Sequence, residues 1–92
     1  MHKTLLHVDF LAGRDDGHQG FARLEVELPF CSSTAVELEH PVWKEARSPI
    51  RVSYNLEEEQ TFYVCLEAEE LGTTDAVAQQ KEIYQNYSWT VS

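Results

Sequence analysis

Apolar residues fall on even-numbered positions through most of the chain. Leu6, Val8, Phe10 and Ala12 alternate with His7, Asp9 and Leu11, and Ala22, Leu24, Val26, Leu28 and Phe30 face away from Arg23, Glu25 and Glu27. Successive side chains of a strand point to opposite faces, so this period of two predicts two strands, each with one apolar side. The glycine-rich residues 13–20, with an Asp–Gly step, predict the loop of an antiparallel hairpin between them. Val36 and Leu38, alternating with Glu37 and Glu39, predict a short third strand closed by His40-Pro41. Ile50, Val52, Tyr54 and Leu56 predict a fourth strand. Phe62, Val64, Leu66 and Ala68 predict a fifth, with residues 42–49 as a loop or helical turn that folds Trp43 onto the core.

The period changes after Gly72. Thr73 or Thr74 can cap a helix, and Asp75 complements its positive end. Ala76, Ile83 and Tyr87, with Val77 and Tyr84 beside them, predict the apolar stripe of a helix running to about Tyr87. Trp89 and Val91 form a last short strand or tack the tail onto the sheet. Together these elements predict an α+β fold over a single domain, residues 1–92. Its mainly antiparallel sheet of about five strands carries one C-terminal helix on one face.

Three segments repeat a Glu–apolar–Glu pattern: residues 25–27, 37–39 and 67–69. On strands, each pair of carboxylates shares a face about 7 Å apart. With the helix on the apolar side, Glu25, Glu27, Glu67 and Glu69 are expected on the opposite, solvent-facing side. There Lys3, Arg23 and Arg51 relieve part of their repulsion. Asp15, Asp16, Glu57, Glu58, Glu59 and Glu70 extend the acidic set, and these ten residues form the candidate partner-binding surface. Sixteen acidic residues against seven Lys and Arg give a formal charge of −9. Such a field repels nucleic acid and anionic membrane and speeds encounter with a basic protein surface.

Little else suggests chemistry. His7-x-Asp9 and the Asp15, Asp16, His18 loop offer metal-ligand types, but without the paired spacing of a zinc site or the spaced acids of a calcium loop. Cys31 or Cys65 with His40 is not accompanied by a nucleophile elbow or a phosphate loop. No enzymatic activity, cofactor or metal is therefore expected. The two cysteines read as free thiols, a single disulfide between them being the alternative. Residues 1–10 resemble neither a signal peptide nor a membrane span, so a cytoplasmic protein with no membrane partner is expected.

In overall character the chain resembles the small phage-encoded anti-CRISPR proteins, in particular inhibitors of the type I-F surveillance complex. The resemblance rests on a short, strongly acidic α+β chain with no catalytic motif and an extended run of carboxylates (Glu25/Glu27, Glu37/Glu39, Glu57 to Glu59, Glu67/Glu69/Glu70). Such proteins share no signature motif, so no functional residue is carried over. The resemblance implies a partner among the Cas subunits, with a minor contact to guide RNA, in the host cytoplasm. It also implies a mechanism in which target DNA is kept from pairing with the guide. On this reading, replacing Glu67, Glu69 and Glu70 with Lys leaves folding intact and abolishes binding. Two other classes fit the same charge: an immunity or antitoxin-like protein that plugs a basic toxin nuclease, and a non-catalytic phage accessory module.

Overall fold

Two long paired strands form the backbone of the fold in a computed structural model that describes residues 1–13, 17–56 and 60–92. Strand β1 (His2–Ala12) pairs antiparallel with β2 (His18–Leu28), from His2 opposite Leu28 to Phe10 opposite Gly20. Every even position of β1 from Thr4 to Ala12 is buried, while its odd positions are only partly so or exposed. Each buried Leu, Val or Phe contributes about 1.5–3 kcal/mol. The alternation that predicts the strand thus also supplies the core. Ala22, Leu24 and Val26 continue the same face across β2.

Four shorter strands complete the sheet among the described residues: β3 (Arg51–Tyr54), β4 (Phe62–Cys65), β5 (Glu69–Leu71) and β6 (Thr90–Val91). The order is β3-β4-β1-β2-β6, and β5 lies beside β1 further along the edge that β4 occupies. β4 and β5 run parallel to β1 and the other pairings are antiparallel, so the sheet is mixed. The α+β class, the C-terminal helix and a mostly antiparallel sheet agree with expectation. The expected third strand is reduced to one bridge, in which Leu38 and Arg47 exchange backbone hydrogen bonds of 2.8 Å.

The expected fifth strand is broken. Thr4 pairs with Phe62 and Leu6 with Val64, yet Phe10 pairs with Glu69 rather than with Ala68. One extra residue is therefore accommodated between β4 and β5, at residues 66–68. Because the side-chain period is two, this insertion swaps the faces of everything after it. Glu69 and Leu71 now share the side of Phe10 and Ala12, which is the core side.

Helix α1 (Thr74–Asn86) packs on that side. The Thr73 side chain caps it by accepting from the Ala76 N–H at 3.1 Å, and Asp75 sits in its first turn. The buried residues are Val77 and Tyr84, with Gln80 and Lys81 half-buried between them, whereas Ile83 and Tyr87 are exposed. The helix is thus rotated from the expected stripe, because the heads of Gln80 and Lys81 find acceptors beneath it. Lys81 Nζ donates to the Gln19 carbonyl at 2.7 Å, where β2 bulges just before Gly20. Tyr84 packs edge-on against Phe10 and Trp89, and Trp43 closes this cluster from residues 40–47, as expected. No helix among the described residues is long and apolar enough to cross a membrane.

Candidate binding surfaces: the sheet face and the Glu69 groove

The sheet face away from α1 is not the acidic surface that the repeat of Glu pairs predicts. Glu25 and Glu27 do point there and are exposed. However, Lys3 Nζ lies 3.1 Å from Glu25. Across the middle of the same face, register places Arg51 beside Cys65, Cys65 beside His7 and His7 beside Arg23. Among the described residues Lys3, Arg23 and Arg51 therefore offset Asp9, Glu25 and Glu27, while Glu70, paired with Leu11, stands at the edge of this face where the groove meets β5. Asp15, Asp16, Glu57, Glu58 and Glu59 lie outside the described residues.

The same face gathers the histidines that suggest metal ligands. His7 Nε2 and His18 Nε2 lie 2.9 and 2.8 Å from a single oxygen of Asp9. Arg23 Nε donates to His7 Nδ1 at 2.9 Å, so His7 carries its hydrogen on Nε2 and donates it to Asp9. That tautomer leaves no free lone pair on Nε2. Partial burial works to raise the Asp9 pKa, but the bonds from His7 and His18 outweigh it and hold the group below the usual value. Phe21 stacks on His7, with the Arg23 guanidinium 4.4 Å from the Phe21 ring centre. Among the described residues no group of three or more His, Cys, Asp or Glu is arranged to hold a metal ion. Cys31 is exposed, Cys65 is half-buried, and both thiols are free.

Glu69 occupies a different environment. Its side chain is 10% exposed, on the helix side of the sheet rather than the expected solvent side. The cause is the extra residue at 66–68. Three donors meet its carboxylate: the Tyr84 hydroxyl and Arg47 Nη1 (3.2 Å) at Oε2, and Gln80 Nε2 (2.7 Å) at Oε1. Tyr84 in turn accepts from Trp43 Nε1 at 2.8 Å. Burial, reinforced by the bond to Glu69, pushes the Tyr84 pKa far up, so its hydroxyl remains the donor to Glu69. The Leu38–Arg47 bridge fixes the Arg47 backbone, and the guanidinium lies 5.1 Å from the Trp43 ring centre. The reduced third strand thus has a role: it aims Arg47 at Glu69. This carboxylate ties together β5, α1 and the 38–47 segment.

Above it runs an open groove of about 950 Å³ between residues 44–50 and 67–71, with Gln80 and Ile83 of α1 as its third wall. Glu45, Glu67 and Glu70 line it and are exposed, and none has a hydrogen bond or ion pair with another described residue. Lys44 is the cation beside them, since Arg47 is committed to Glu69. The structure therefore splits the expected Glu67/Glu69/Glu70 cluster: Glu67 and Glu70 border the groove, and Glu69 braces its floor. Sequence reasoning missed Glu45, Arg47, Gln80 and Tyr84 as members of the site. One signal lies in the sequence: Leu71 is apolar at an odd position, whereas the core residues expected for the fifth strand, Phe62, Val64, Leu66 and Ala68, are even.

Compared with protein-family models, curated protein sequences and solved structures, the chain matches none.

Proposed function

We propose that the chain is a non-catalytic binding protein that docks its acidic groove on a basic protein surface which otherwise holds nucleic acid. The first partner to test is a type I CRISPR surveillance complex, whose occupation would keep target DNA from the guide RNA. The observation that carries this reading is the set Glu45, Glu67 and Glu70. They are three exposed carboxylates on one groove without ion-pair partners among the described residues, in a chain of net charge −9, whereas on the sheet face Lys3, Arg23 and Arg51 offset Asp9, Glu25 and Glu27. A channel that holds a guide–target duplex is lined with Lys and Arg. Carboxylates presented by a folded surface compete for those side chains, and bonds to Arg add geometry to the attraction.

The test is inhibition of target-DNA binding by the purified type I-F complex. Glu45→Lys, Glu67→Lys and Glu70→Lys are introduced together, with Glu69 retained. The triple variant is expected to fold and to lose inhibition, while Glu25→Lys with Glu27→Lys keeps most of it. Full inhibition by the triple variant overturns the proposal.

A further inference from the structure

The sheet has a notch. β4 and β5 succeed one another along β1, but β3 covers β4 only, and its flank ends where Ile50 N donates to the Cys65 carbonyl at 2.8 Å. Beside β5, where β3 would continue, lies the acidic groove. Residues 67–71 line it without interruption. Side chains of a strand alternate between faces, so an unbroken lining run means that the groove meets the strand along its edge. The Leu71 carbonyl accepts from Gly13 N at 2.8 Å and thus points toward β1. The N–H and C=O of Glu70, one residue earlier, point to the other edge, and among the described residues β5 pairs with β1 alone.

The geometry points to strand addition at this notch: an extended segment of a partner protein, bearing Lys or Arg, pairs with β5 and continues the line of β3. The backbone groups of Glu70 supply the pairing. Ile50 and Ile83, 64% and 43% exposed, stand at the two walls for alternate apolar side chains. Glu45, Glu67 and Glu70 outnumber Lys44 and select basic residues between them. A small anion does not fit, because Arg47 is already paired with Glu69. The charge of the occupant rests on the proposed function above; the backbone pairing is additional to it.

Three short capped peptides are titrated into the isotope-labelled protein and followed by amide chemical shift and hydrogen exchange. One alternates Lys and Val, one is the same peptide N-methylated on alternate amides, and one alternates Glu and Val. Strand addition predicts that the Lys/Val peptide shifts residues 67–71 and slows exchange at Glu70 by tenfold or more. The N-methylated peptide binds at least tenfold more weakly, and the Glu/Val peptide does not bind. Glu45→Gln with Glu67→Gln weakens the Lys/Val peptide about fivefold, the scale of two exposed charge pairs. Equal binding of the N-methylated peptide, or no change at Glu70, overturns strand addition and leaves the charge reading standing. Equal binding of the Glu/Val peptide with the same protection overturns the charge reading alone. Slowing of Glu70 exchange by protein concentration, without peptide, overturns the assignment of the edge to a partner and gives it to a second copy.

Discussion

Replacing Glu69 with Ala removes the acceptor shared by Tyr84, Arg47 and Gln80. The cost differs among the three donors. Gln80 is half-buried, and Arg47, with its side chain 30% exposed, can turn into the open groove and recover water, so these two contribute little. Tyr84 cannot, because the residue is wholly buried beneath α1 with its hydroxyl also holding Trp43 Nε1. An orphaned buried polar group costs about 1–3 kcal/mol, and removing one partner of a fully buried ion pair costs about 3–5. Discounting the exposed share leaves roughly 2–4 kcal/mol. Because a domain of this size loses about 4–8 °C per kcal/mol, Tm is expected to fall by roughly 10–30 °C. Urea unfolding followed by fluorescence reads this directly, since Trp43 and Trp89 are both buried beside Tyr84. Glu67→Ala and Glu70→Ala stay within about 0.5 kcal/mol of the parent, as exposed sites do. A Glu69→Ala variant as mild as Glu67→Ala at unchanged m-value would show that the buried carboxylate does not hold these elements together. A double-mutant cycle with Tyr84→Phe should show coupling of about 0.5–3 kcal/mol, because the two groups share one bond.

Further consequences concern the frame around this cluster. Gly20 sits at φ +132°, and a Cβ there would collide with the Ser92 carbonyl and lie 2.6 Å from Lys81 Nζ. Gly20→Ala should therefore cost more than the 1 kcal/mol typical of strained backbone and detach β6, seen as faster amide exchange at Ser92 and Phe21, which bond each other. His40 accepts from the Val42 N–H at 3.1 Å, and burial lowers its pKa below 6.5. The unfolded chain therefore takes up a proton before the folded one does. Stability is complete above about pH 6.5 and declines as pH falls toward the folded value. Thermal unfolding of His40→Asn, whose side-chain oxygen can still accept from Val42, should show a shallower decline over that interval. An unchanged pH profile would assign the effect to another group.

Most of the fold was legible because alternation and capping are local. The even-position stripe placed the faces of β1 and β2, and Thr73 with Asp75 placed the start of α1. The site was less legible because it depends on a single inserted residue. Nothing in Leu66-Glu67-Ala68-Glu69 marks where the strand breaks, and moving the break by one residue sends Glu69 to the opposite face. Once Glu69 is inside, the polar positions of α1 make sense: Gln80 falls on the buried stripe because it meets a carboxylate. Leu38 similarly reads as a strand residue but makes one bridge, and its consequence, the aim of Arg47, is visible only in three dimensions. The sheet face was misjudged for a related reason. The sequence predicts that Lys3, Arg23 and Arg51 relieve only part of the repulsion, but the inserted residue turns Glu69 to the helix side and leaves these cations equal in number to Asp9, Glu25 and Glu27.

In the proposed function Glu45, Glu67 and Glu70 of the groove, which have no ion-pair partner among the described residues, bind a basic protein surface and Glu25 and Glu27 of the sheet face do not. Calorimetric titration of the type I-F surveillance complex with three proteins tests it: the parent, Glu45→Lys/Glu67→Lys/Glu70→Lys, and Glu25→Lys/Glu27→Lys. The groove variant is expected to lose at least about tenfold in affinity and the sheet-face variant to change by no more than about threefold, with parent affinity falling as salt rises. Equal losses from the two variants, or a parent that does not bind the complex at low salt, would contradict it.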